Sequence, residues 1–110
     1  MTDSAETTLS LLKYLHEHPQ TSQRELAEIM GVSLGKLNYC LKALIEKGLV
    51  KVGNFSRSTH KRGYVYLLTP RGIHAKTQLS IQFLQRKMEE YDRLRLEIEA
   101  LQREIETSDA

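Results

Sequence analysis

Residues 33–42 read SLGKLNYCLK, and their polar members have the chemistry of base reading. Asn38 can bond an adenine edge through two hydrogen bonds, and Lys36 and Lys42 can reach guanine acceptors. Tyr39 offers contact to a thymine methyl group or a phosphate. At about 100° per residue, Gly35, Lys36, Tyr39, Lys42, Ala43 and Glu46 share one arc of a helix, with Asn38 at its edge. Leu37, Leu41 and Leu44 fall on the opposite arc, flanked by Leu34 and Ile45. A largely basic face backed by leucines suits a helix lying in a DNA major groove. Ser22, Gln23 and Ser33, at expected helix N-termini, suit phosphate contacts through side chains and backbone N–H groups. A second basic group, Arg57, His60, Lys61 and Arg62, would reach a flanking minor groove or the backbone.

Other chemistries find little support in the residues. No Ser/His/Asp set, phosphate-cradling glycine loop or metal-ligand spacing occurs, so neither an enzyme nor a cofactor or metal site is expected. The histidines at 16, 18, 60 and 74 are scattered, and His16 and His18, two apart, point to different helix faces. Cys40 is the single cysteine, which rules out an internal disulfide and fits a reducing cytoplasm. It lies at the edge of the apolar arc, where packing is expected of it more than redox switching. The N-terminus has no basic leader, and no apolar run is long enough to span a membrane. A cytoplasmic protein with no membrane partner is expected.

The elements that would position these residues follow from local signals. A first helix is expected at about residues 4–17, with Asp3 to Glu6 as a capping box and Leu11, Leu12 and Leu15 on one face. Pro19 stops it. A second helix begins after Ser22, which forms the S-x-x-E capping box with Glu25; Leu26, Ile29 and Met30 supply its buried side. Gly31 is placed to end it in the left-handed conformation. Ser33 caps a third helix that runs to about Lys47 and stops at Gly48. Two helices joined this tightly make a helix-turn-helix. Strand signals at Leu49–Val52 and Tyr64–Leu68 then flank a basic, small-residue tip, which reads as a hairpin.

Thr69 and Pro70 open a last helix as N-cap and first residue. Nothing breaks it before about Glu106, a length of roughly 37 residues or ~55 Å. Tyr91, Leu94, Ile98, Leu101 and Ile105 recur at alternating spacings of three and four, a coiled-coil stripe. Ile81, Leu84 and Met88 continue it upstream with one three-residue phase slip at Tyr91–Leu94, which locally overwinds such a coil. Alone in water such a stripe would be exposed, so it needs a partner; self-pairing is the simplest, and folding back onto the same domain is the alternative.

Charge divides along the chain in the same way. The net charge is only +2, but residues 33–71 hold eight Lys or Arg and one acid, while residues 88–110 hold eight acids and three Arg. A polyanion-binding body with a partner-facing tail is implied. The expected fold is mainly α with a small β-hairpin wing (α+β): a winged helix-turn-helix over residues 1–70, then a C-terminal dimerisation helix over 71–110. The expected function is double-stranded DNA binding as a homodimer, with no small-molecule effector specified by the residues. The alternative is a winged-helix module that pairs through its coiled coil and binds protein, not DNA; exposed apolar residues on the outward face of the third helix and on the wing would favour it, whereas Lys, Arg and Asn stand there.

The pieces Leu26-Ala27, Gly31-Val32-Ser33, Glu46 to Val50, Tyr64 to Gly72, and Phe83-Leu84, Lys87, Glu90-Tyr91 give the chain a family likeness. It resembles the MarR-type winged-helix transcriptional regulators, and is most similar to their short, exopolysaccharide-associated bacterial subfamily. The resemblance implies a regulator of exopolysaccharide or cell-surface polysaccharide genes. It also implies that Arg62 is the minor-groove arginine of the wing; His60 stands where larger relatives often have an acidic brace. Those larger relatives dimerise through helices at both ends, whereas this chain has room for one long terminal helix.

Overall fold

The computed structural model describes residues 2–55 and 63–108, with side chains described from residues 5 to 53 and 65 to 108. The elements follow in the order α1 (Thr2–Glu17), α2 (Gln23–Met30), α3 (Leu34–Glu46), β1 (Val50–Phe55), β2 (Gly63–Leu68) and α4 (Pro70–Ser108). The chain divides into two compact units, Met1–Leu79 and Ser80–Ala110.

The first unit is organised by leucines at helical spacing. Leu11, Leu12 and Leu15 of α1, Leu26 of α2, and Leu37, Leu41 and Leu44 of α3 are all buried, joined by Ala27, Val50 and Tyr66. Each helix contributes one apolar stripe, which is how short amphipathic helices gain stability from tertiary contact. Ile29 corrects the reading of α2, for it is exposed and Ala27 is buried in its place. The buried arc of α2 runs Leu26–Met30–Ala27, and Ile29 lies on the flank away from Ala27. Cys40 packs against the core.

Local capping matches the chemistry of the cap residues. Ser22 Oγ accepts from the Glu25 N–H at 3.0 Å, and Ser33 Oγ accepts from the Lys36 N–H at 3.1 Å. Each bond satisfies one of the donors left open at a helix start. Gly31, at φ 69°, ends α2 in the left-handed region, which a side chain would disfavour. The start of α1 is different: the helix extends to Thr2, which places Asp3 inside it and removes the expected capping box.

The hairpin strands are antiparallel and pair from Val50↔Leu68 to Phe55↔Gly63, longer than the β-rich residues alone suggest. Backbone bonds continue the ladder through Gly53 and Asn54 once the valines have set its register. The α1–α2 connection adds a bridge, Gln20↔Val65, and the Tyr66 N–H donates to the Pro19 carbonyl at 2.9 Å. Pro19 thus does more than stop α1.

The start of α4 is tied to the end of α3. Thr69 Oγ1 accepts from the Gly72 N–H at 3.0 Å and donates to the Gly48 carbonyl. The Thr69 N–H donates to the Leu49 carbonyl at 3.0 Å. Gly72 is buried, and a Cβ there would overlap the Leu49 carbonyl. Among the described residues, no helix is long and apolar enough to cross a membrane.

Candidate nucleic-acid interface

The leucine face of α3 is held by the core, so its opposite face must point outward. Ser33, Gly35, Lys36, Asn38 and Lys42 are exposed there, as is Glu46. Tyr39 is the most exposed large hydrophobic side chain among the described residues of the first unit, at 76%. A helix presenting two lysines, an amide and a phenol to solvent offers donors suited to phosphates and base edges. The serine hydroxyls at 22 and 33 accept from their own helices and keep their protons for an outside acceptor.

Beside this face lies an open groove of about 230 Å³, lined by Gln23, Asn38, Leu41, Lys42, Ile45, Val52 and Tyr66. It brings the start of α2, the outer edge of α3 and both strands of the hairpin together. Gln23 is half-buried, and its Nε2 donates to the Tyr66 hydroxyl at 3.1 Å. Its amide is therefore anchored to β2, while its backbone belongs to the N-terminal turn of α2. Sequence reasoning did not find the roles of Ile45, Val52 and Tyr66. Val52 and Tyr66 face each other across the hairpin, so only strand register brings them here.

The wing residues Arg57, His60, Lys61 and Arg62 lie outside the described residues. The strands that carry them are in place on both sides.

In the second unit the stripe stands open. Ile81, Leu84, Met88, Tyr91, Leu94, Ile98, Leu101 and Ile105 range from 45% exposed at Ile81 to 66% at Tyr91. Leu96, off the stripe, is also exposed. Two ion pairs lie along the helix surface, Lys87–Glu90 at 3.3 Å and Arg95–Glu99 at 3.0 Å. Exposed pairs of this kind contribute only a few tenths of a kcal/mol, about 0.3–0.5 each. Among the described residues, no three His, Cys, Asp or Glu side chains gather to hold a metal ion.

Comparison with known proteins agrees with this geometry. A family profile described as winged helix-turn-helix DNA-binding matches residues 5–51. The chain is similar to MarR from Staphylococcus aureus, solved with salicylate and kanamycin, at 22% identity and a TM-score of 0.63, covering 78% of this chain and 56% of that one. It is similar to MepR, a transcription regulator of the S. aureus multidrug efflux pump MepA, at 18% identity and TM-score 0.66, covering 79% and 63%. A cysteine-to-serine mutant of MarR from E. coli, solved with operator DNA, matches at 26% identity and TM-score 0.56, covering 66% and 50%. The chain thus spans between half and just under two thirds of the length of these three proteins. No match was found among curated proteins. The chain carries a winged helix-turn-helix domain, and its fold is shared with MarR-type transcription regulators.

Proposed function

We propose that the protein is a sequence-specific regulator that binds double-stranded DNA as a homodimer. The observation that carries this reading is the outward face of α3, where Lys36, Asn38, Tyr39 and Lys42 are exposed together against a buried leucine face. In this reading Asn38, Lys36 and Lys42 read base edges in the major groove, and Tyr39 touches a thymine methyl or a phosphate. Ser22, Ser33 and the backbone of Gln23 hold phosphates, and Arg57, His60, Lys61 and Arg62 extend the grip to a flanking groove. The MarR mutant bound to operator DNA supports DNA as the ligand. Residues 1–70 serve as the DNA-binding part and 71–110 as the pairing part, through the stripe on α4. The resemblance to the exopolysaccharide-associated regulators suggests bacterial polysaccharide genes as targets and the cytoplasm as the place of action.

Mobility-shift titration on promoter fragments at several salt concentrations tests this, starting with the gene's own upstream region. Affinity should fall linearly on logarithmic axes, with a slope of about −0.9 for each phosphate neutralised. Footprints should show two half-sites about one helical turn apart, or a multiple of that. No salt-dependent binding to any fragment would refute the reading.

A further inference from the structure

The open stripe on α4 carries information about the direction in which a second copy would lie on it. In heptad terms, Ile81 and Met88 are a positions and Leu84 is d. Tyr91 closes this run as d and opens the next as a, followed by Leu94, Ile98, Leu101 and Ile105. The residues bordering the seam around this reset are Lys87 and Glu90 on the g side, and Asp92 and Arg95 on the e side. Lys87 and Glu90 are solvent-exposed and pair with each other at 3.3 Å.

We propose that two copies of this chain pair through α4 in parallel and in register, held in that orientation by Lys87 against the partner's Asp92 and Glu90 against the partner's Arg95. The proposal rests on the homodimer reading above and adds its geometry. In a parallel pair, each g residue meets the e residue five positions further along the partner helix, and such contacts set orientation. Of the other contacts of this kind, Ser80 with the partner's Gln85 and Glu97 with the partner's Gln102 bring no like charges together, whereas Glu104 and the partner's Asp109 are a like-charged pair in this register. Antiparallel pairs instead place g beside g and e beside e. Centred on Tyr91, that arrangement sets Glu90 against the partner's Glu90 and Asp92 against the partner's Asp92. Shifted toward the C-terminus, it sets Glu97 against the partner's Glu97 or the partner's Glu104. Shifted toward the N-terminus, it sets Lys87 against the partner's Lys87. The centred antiparallel arrangement also sets Lys87 against the partner's Glu97, but it brings like charges together at Glu90 and at Asp92, whereas the parallel register gives unlike partners to all four charged residues around the reset. Both chains then enter the pair from the same end, which suits a palindromic site with neighbouring half-sites.

The test uses the full chain with Cys40→Ser, spin-labelled at Gln82→Cys in one sample and at Arg103→Cys in another, with solution mass measured on each. A parallel pair gives two short label-to-label distances of similar size, because the axes lie about 10 Å apart at both positions. An antiparallel pair centred on Tyr91 adds an axial offset of ~27 Å at residue 82 and ~36 Å at residue 103. Dimer mass with short distances at both positions supports the proposal. Dimer mass with long distances overturns the orientation alone and leaves the homodimer reading standing. A monomer mass overturns both, while DNA binding is read separately by mobility shift. In the charge-swap arm, Lys87→Glu should weaken the dimer about threefold to tenfold, and adding Asp92→Lys on the same chain should restore it. Unchanged affinity in both variants would count against the cross-pairs.

Discussion

The two units use the same residue type in opposite ways. In the first, Leu11, Leu12, Leu15, Leu26, Leu37 and Leu41 are at most 1% exposed. In the second, Leu84, Leu94 and Leu101 are 55–59% exposed although they recur at equally regular helical spacing. The first unit folds several stripes against one another; the second is one helix whose single stripe stands exposed. Periodicity alone therefore marks a surface that must be buried, and the number of helices sharing it decides whether the chain can bury it unaided.

Leucine truncation should break this comparison most sharply. Leu41→Ala removes a fully packed side chain and should cost the first unit about 2–5 kcal/mol in urea unfolding, independent of protein concentration. Leu101→Ala should cost under about 0.5 kcal/mol in a dilute monomer, with a larger loss appearing only as concentration drives pairing. Equal, concentration-independent losses at both positions would show that the second stripe is already covered.

Gly72→Ala should have the next largest effect. The added Cβ must displace the Leu49 carbonyl, and with it the junction between α3, β1 and α4. Overpacking against backbone predicts about 1–3 kcal/mol of lost stability in thermal or urea melts. A neutral result would mean that the junction shifts without strain.

Lys42→Ala should leave stability within about ±0.5 kcal/mol, since the side chain is exposed. It separates the outward face of α3 from the core face behind it. If Lys42 neutralises a phosphate, the variant should lower the salt slope of DNA binding by about one for all sequences; if it reads a guanine, it should relax preference at one base position instead. An unaltered titration would exclude Lys42 from the interface.

Much of the candidate interface was readable before any fold was known, because α3 carries its own logic. Three leucines on one arc commit that side to a core, and the residues left on the other arc include Lys36, Tyr39 and Lys42. The groove beside it was not readable. It depends on Gln23 meeting Tyr66, 43 positions away, and no local rule pairs a helix start with a distant strand. Ile29 failed for a related reason. An eight-residue helix shows too few turns for periodicity to locate the centre of its buried arc.

Sequence by itself determined what is settled within one turn of chain. Ser22, Ser33 and Thr69 at helix starts, Gly31 at a helix end and the spacing of the leucines all act through bonds or angles spanning about four residues. Tertiary structure alone decided the bridge from Gln20 to Val65, the anchoring of Gln23 and the contact that reserves position 72 for glycine. These depend on which distant surfaces meet, and chain connectivity leaves that open until the core has closed.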